Sequence, residues 1–459
     1  MSRRGNAMIA CVSIGTATVP LDTAVNVAFP YITGAFGVPV DWIQWVIVSY
    51  VLTYAGLLLG TGRIADVLGY KRIFIVGLAL NVAAQLACAL APSFEMLIAA
   101  RVVQGISAAL ILSAGPALIT LAWPESDRVR MLGTYTIAFG LAGAAGPLLG
   151  GLVVEAIGWS GVFWFRAPIA LCGLVLTLWL AEEPRVRNET AAQLDLWAIT
   201  ALVIGMVCGL LALGQGPRLG EHLWVLLALV LISATALTGF AKRQLRNPSS
   251  ALFDLHLMRD RVFLGVIATH VLVALAEFSV LLLVPYLLGA VEGLSPAMAG
   301  LILGGAPLGV MAASYFVKYS LGDGVPDSIA AGSVALVALA LTGVSFWPQS
   351  PAWPLMFINL FAVGFGYGVY HVTGMDRVMG TLPTHQRAVA GSISMMVRTA
   401  GVVAAASLLS FWFARRDGND PGHLHTAAAD TFLWAIAAAT LGLFIFLFTQ
   451  RHPAKDTEA

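Results

Sequence analysis

Charge is scarce in this sequence. Acidic and basic residues make up 11% of its 459 positions, against about a quarter in ordinary globular domains. Net charge is +1, so no bulk attraction to nucleic acid is expected. Cysteine is scarce too. Cys11, Cys88, Cys172 and Cys208 fall inside apolar blocks, without metal-ligand spacing, and read as buried free thiols. Enzyme signatures are missing: there is no HExxH, no GxxxxGK[ST] and no paired CxxC. These absences point away from an enzyme, a metal centre, a cofactor and ATP-driven transport. A cleavable leader is not legible either, because the apolar stretch after Arg3 and Arg4 is too long for one and contains Asp22.

What fills the sequence instead is hydrophobic residue, 59% of the chain with a mean hydropathy of +0.86. It comes in fourteen blocks, near 6–36, 42–61, 72–91, 95–121, 130–157, 161–180, 192–214, 222–241, 261–290, 296–317, 328–346, 352–375, 387–413 and 428–449. Each is close to or above the roughly 20 residues that cross a bilayer as a helix. The expectation is an all-α polytopic membrane protein with fourteen transmembrane helices. Glycine and proline inside the blocks are compatible with this, since neighbouring helices satisfy freed backbone groups.

Basic residues orient the chain. With the N-terminus in the cytoplasm, nineteen of the 25 Lys and Arg fall on cytoplasmic loops and flanks. Arg218, Arg415 and Arg416 fall outside, and Arg101, Arg166 and Arg398 lie within spans. That bias supports an even number of crossings with both termini cytoplasmic. The expected organisation is 6 + 2 + 6: an N-terminal six-helix half over 1–187, an inserted hairpin over 188–245 and a C-terminal six-helix half over 246–459. Lys242 to Arg261 reads as the longest cytoplasmic loop. Two related halves are the plan that secondary transporters use for alternating access.

A few polar residues interrupt the apolar pattern. Gly62–Arg72, GRIADVLGYKR, reads as a tight turn between spans two and three. Gly62 and Gly69 permit turning, Asp66 suits a helix end or a basic partner, and Lys71 and Arg72 mark the cytoplasmic side. Asp22 sits mid-way in span one, where a carboxylate is costly and faces a cavity or a partner such as Asn26 or a basic residue. Arg101 is mid-membrane in span four, where a buried structural ion pair is one reading. Glu277 in span nine is a second candidate for proton or substrate binding, with His270 two turns earlier. His371 and Asp376 read as gate or loop-contact residues, and Tyr50 and Tyr54 as inward-facing aromatics able to touch substrate. In span five, Gly143, Gly146, Pro147, Gly150 and Gly151 line one face for close helix approach, with Pro147 permitting a kink.

Four stretches carry a family resemblance: LDTAVNVAFP at 21–30, GRIADVLGYKR at 62–72, RVVQG at 101–105 and GLAGAAGPLLGG at 140–151. In this order and register the chain resembles the major facilitator superfamily, in particular its fourteen-helix drug:proton antiporter branch. The resemblance implies the major facilitator fold, a gating loop at 62–72 and an antiporter motif in span five. It also implies proton coupling through Asp22 and Arg101. The chain departs from the pattern at Val67, where a basic residue is usual, and at Arg166, where asparagine is common. With Arg101 and Arg398, Arg166 makes three arginines inside spans against the two carboxylates Asp22 and Glu277. That balance opens the option of an anionic or zwitterionic cargo. The expected substrate cavity includes Asn26, Tyr50, Tyr54, Arg166, His270 and Arg398.

The function expected on this basis is proton-coupled export of small amphipathic compounds, of the multidrug efflux type. It would take place in a bacterial inner membrane, by a monomer that needs no nucleic acid. Export of an endogenous anionic or lipid-like metabolite is the runner-up. A non-transporting membrane sensor on the same fold is the alternative from a different class.

Overall fold

The first membrane span is not one helix. In the computed structural model α1 covers Arg3–Ala17, a 3-10 turn follows at Pro20–Thr23, and α2, Ala24–Val27, and α3, Phe29–Phe36, complete the crossing. Pro20 and Pro30 stand in the first turns of their segments, where a missing N–H is harmless and a preset φ helps. Asp22 therefore lies on a break in the span and not in a regular helix interior. The structure describes residues 3–123, 125–180, 196–215, 223–246, 261–321, 326–347, 352–381, 387–416, 420 and 422–450.

The rest is helical as well. The next elements are α4 Gln44–Leu68, α5 Tyr70–Ala89, α6 Phe94–Ala122, α7 Glu125–Ile157, α8 Gly161–Trp164 and α9 Arg166–Leu180. A peripheral pair follows, α10 Leu196–Gln215 and α11 Leu223–Arg246. Then come α12 Arg261–Gly289, α13 Pro296–Leu303, α14 Gly305–Phe316, α15 Asp327–Ser345, α16 Trp353–Thr381, α17 Arg387–Arg415 and α18 Leu424–Gln450. No strand occurs among the described residues.

Thirteen helices among the described residues are long and apolar enough to cross a membrane. The fourteenth expected span, 192–214, coincides with α10, whose described apolar run is the shorter Thr200–Gly209. The count of fourteen is thus not fixed by the fold. The expected loop from Lys242 also begins later, because α11 continues through Arg246. Glu182–Glu189, the charged end of the first half, lies outside the described residues.

The polar island at 62–72 corrects the sequence reading most clearly. It is not a loop. Helix α4 runs on through Leu68, and a single residue, Gly69 at φ +97°, turns the chain into α5. That φ strains any side chain other than glycine's. Gly62 is helical, with open space where a Cβ would stand. Arg63 and Asp66 stand within the helix, so their polarity did not mark a turn. The cysteine reading is corrected in part. Cys11 and Cys88 are buried, but Cys172 is exposed on the outer face of α9 and Cys208 is half-buried; all four are free thiols.

Two compact units emerge. The first comprises residues up to Val38, Trp42–Val203 and Ser295–Leu301. The second comprises Pro39–Asp41, Ile204–Leu294 and the chain from Ile302 on. Their internal packing follows one scheme. In the first unit α6 packs on α4 and α5, α9 packs on α1 and α5, and α7 packs on α1. In the second, α16 packs on α14 and α15, α18 on α12 and α15, and α17 on α12. Counting crossings from one to six in each unit, these are the same five pairs. Helix α12 is buried nearly all round, 89% of its apolar window, whereas the α11 window is only 11% buried. So α12 is a core helix, and α11 presents its Leu, Trp and Ile side chains outward, as a lipid-facing helix does.

Candidate functional site

The break in the first span places Asp22 against two arginines from different helices. Arg101, near the start of α6, grips both oxygens: Nη1 donates to Oδ1 at 2.6 Å and Nη2 to Oδ2 at 2.8 Å. Arg166, the first residue of α9, donates from Nη1 to Oδ1 at 2.6 Å. Gln104, three residues after Arg101, adds Nε2 to Oδ1 at 3.2 Å and accepts from Arg101 Nη1 at 2.8 Å. The remaining guanidinium edges are held by backbone. Arg101 Nε donates to Val46 O and Arg166 Nε to Val162 O, each at 2.8 Å. The Tyr50 ring lies 4.3 Å from Arg101 Cζ, and Phe163 lies 5.3 Å from Arg166 Cζ. Aromatic faces attract cations at such distances.

The cluster is buried. Arg101 is 2% exposed, Arg166 0% and the Asp22 side chain 14%. Charged hydrogen bonds of this geometry are strong, and a desolvated ion pair relies on such partners to offset the cost of burial. One atom is left over: Arg166 Nη2 has no hydrogen-bond partner. A polar chain continues behind Gln104, with Ser107 Oγ donating to its carbonyl at 2.6 Å and Asn81 Nδ2 donating to Ser107 Oγ at 2.9 Å.

Against this geometry the sequence reading divides. The Asp22–Arg101 relation is present as a bidentate pair. Arg166, expected as a cavity residue, bonds the same carboxylate. Tyr50 covers Arg101 and packs on Tyr54 with ring centroids 5.3 Å apart, tilted by 60°, both nearly fully buried. Asn26 is buried on α2. The partner of Asp66 in the described bond is Tyr70, whose hydroxyl donates to it across the Gly69 turn. Lys71 and Arg72 open α5 beside that turn.

The α7 glycines meet the broken span. A Cβ on Gly143 would touch Pro20 at 3.6 Å, and one on Gly150 would come within 2.7 Å of Ala24 O. At Gly146 it would collide with Thr23. Thr23 Oγ1 in turn donates to Gly143 O at 3.0 Å. On the other side of α7, Gly151 abuts the backbone of Pro296, and Gly300 abuts the backbone at Pro147. Glu155 Oε2 accepts from Ala297 N at 3.1 Å.

The second unit holds a different polar group. His270 Nε2 on α12 and His371 Nδ1 on α16 are 3.1 Å apart, a hydrogen bond whose donor is set by the tautomers of the two rings. Tyr367 stacks on His371, and Tyr370 packs on His270. His371 is therefore paired with His270 between α16 and α12 rather than with a loop, which leaves the gate half of its gate-or-loop-contact reading. Glu277, two turns along α12 from His270, is buried with Oε2 unpartnered. Arg398 on α17 acts electrostatically on Glu277, His270 and His371. An Arg377–Asp327 ion pair ties α16 to α15; no local motif announces it.

Comparison with known proteins agrees with this architecture. A profile of the Major Facilitator Superfamily matches residues 11–406. The chain belongs to that superfamily. It is 30% identical over 401 residues to the multidrug resistance protein Stp of Mycobacterium tuberculosis, covering 85% of this chain and 73% of that one. It is 31% identical over 406 residues to the methyl viologen resistance protein SmvA of Salmonella typhimurium, covering 86% and 79%. The crystal structure of the POT family transporter PepTSo superposes with a TM-score of 0.70 at 15% identity over 98% of each chain, a likeness of fold alone. The protein is a multi-pass membrane transporter of this superfamily.

Proposed function

We propose that this protein exports small amphipathic compounds in exchange for protons, from the cytoplasm across a bacterial inner membrane, with both termini cytoplasmic. The observation that carries this reading is the shared carboxylate of Asp22, which joins the broken first span to α6 and α9 at once. Protonation removes the charge that both guanidiniums hold. The bonds to α6 and α9 then weaken together, and loss of the proton restores them. A proton thereby becomes a change in how three crossings pack, which is the differential contact a two-state carrier requires. Glu277 serves as a second proton carrier, buried and with one oxygen unpartnered. The Gly69 turn steadies the cytoplasmic ends of α4 and α5, and the α7 glycine face holds the broken span.

The resistance proteins among the relatives support export as the direction. The cargo leaves chemically unchanged, by a monomer, with the ion gradient as the energy source and no cofactor. The test is Asp22→Asn in proteoliposomes under an imposed pH gradient. We expect gradient-driven flux of a transported dye to vanish while the variant stays folded in the membrane. Flux that persists with the same pH dependence overturns the coupling role.

A further inference from the structure

The charges around Asp22 do not balance. Two buried guanidiniums meet one carboxylate, and Asp22 is the only carboxylate bonded to either among the described residues. Among the acids of the first unit whose side chains are described, Asp66 is engaged with Tyr70, Glu155 with Ala297 N, and Glu95 stands in the first turn of α6. Arg101 has all three nitrogens bonded. Arg166 has two bonded, and Nη2 is fully buried without a partner. Leaving a charged donor buried and unmatched is costly.

We propose that this surplus receives the cargo: an oxyanion, in the first instance the carboxylate of an aromatic or amphipathic acid, docks on Arg166 Nη2 beside the Tyr50–Tyr54 pair. A second carboxylate brings the cluster to neutrality and gives Nη2 its acceptor. A cationic cargo meets a cluster that is already net positive, and a neutral amide supplies an acceptor without the charge. The two tyrosine rings, 5.3 Å apart and tilted by 60°, with Tyr50 lying on Arg101, add aromatic surface within the same cluster. Ser49 Oγ, on the α4 turn just before Tyr50, and the Gln85 side-chain amide on α5 are also buried without partners. The direction of movement rests on the export reading above; the binding does not.

The test uses the purified full chain and a matched pair of fluorescent probes, pyrenebutyrate and pyrenebutyramide, which differ in charge and hardly in shape. We expect the wild type to bind the acid about tenfold tighter than the amide, as one charged pair would give, and Arg166→Gln to abolish that preference. Equal binding of the two probes by the wild type overturns the proposal without any variant, so a misfolded Arg166→Gln leaves it testable. Retention of the preference in a folded Arg166→Gln overturns it as well. Sodium chloride displacing pyrenebutyrate from the wild type at millimolar concentration shows a small-anion site and also overturns it. Acid-selective binding without flux in proteoliposomes sinks the export reading and leaves this one standing; flux without acid selectivity does the reverse.

Discussion

Asp22 is held by more charge than it can neutralise, and that decides how substitutions at this point behave. Asp22→Ala strands two buried guanidiniums, and removing one partner of a buried pair destabilises by about 3–5 kcal/mol. Arg101→Met leaves the carboxylate with Arg166 and Gln104. The double variant removes the bidentate pair together, so its loss should fall short of the summed single losses by at least about 1 kcal/mol. Chemical denaturation of the four proteins in one detergent measures this directly. Additive losses would mean that the pair, for all its short contacts, is not energetically joined. The histidines differ in kind. His270 and His371 share one hydrogen bond and carry no obligatory charge, so replacing one leaves a neutral neighbour and not a stranded ion.

At the scale of the element, α7 offers a graded test. Gly140, Gly143, Gly146 and Gly150 share a stripe, but their surroundings are not alike. Gly150 would drive a Cβ to 2.7 Å from Ala24 O, while Gly140 has nothing within 4 Å. Gly150→Ala should lower stability by about 1–3 kcal/mol, the usual penalty for overpacking. Gly140→Ala should be neutral or raise it by about 0.4–1 kcal/mol through the unfolded chain. Melting of the two variants side by side gives the answer, and equal effects would remove the contact argument. The stripe was legible in the sequence because glycines three and four apart share a face. What it packs against was not, because Pro20, Thr23 and Ala24 lie on a break that apolar patterning reads as continuous helix. The Gly62–Arg72 stretch shows the opposite case: its polarity was plain, but only Gly69 bends the chain. Least legible was Arg166. It is 144 positions from Asp22, and no local pattern encodes a contact that arises only when α9 packs on α1. The His270–His371 contact, 101 positions apart, was hidden for the same reason.

At the scale of the whole molecule, the number of crossings and the sides of the loops belong together. If α10 and α11 both cross, then single cysteines from Thr190→Cys, Ser250→Cys and Ala454→Cys should react with an impermeant maleimide only from the cytoplasmic side. Gly220→Cys should react only from outside. Labelling of Ser250→Cys from the side opposite to Thr190→Cys would mean an odd number of crossings between them, and the positive residues after it would lie on the wrong face.

The same five helix pairings build both units, yet one copy encloses a carboxylate between guanidiniums and the other encloses two imidazoles. A scaffold that tolerates such unlike contents does not owe its shape to either. The polar groups are tenants of a frame that apolar and glycine contacts erect by themselves. New chemistry could therefore be installed in one copy while its twin continues unaltered, and a chain made in this way can acquire a different cargo without having to learn again how to fold.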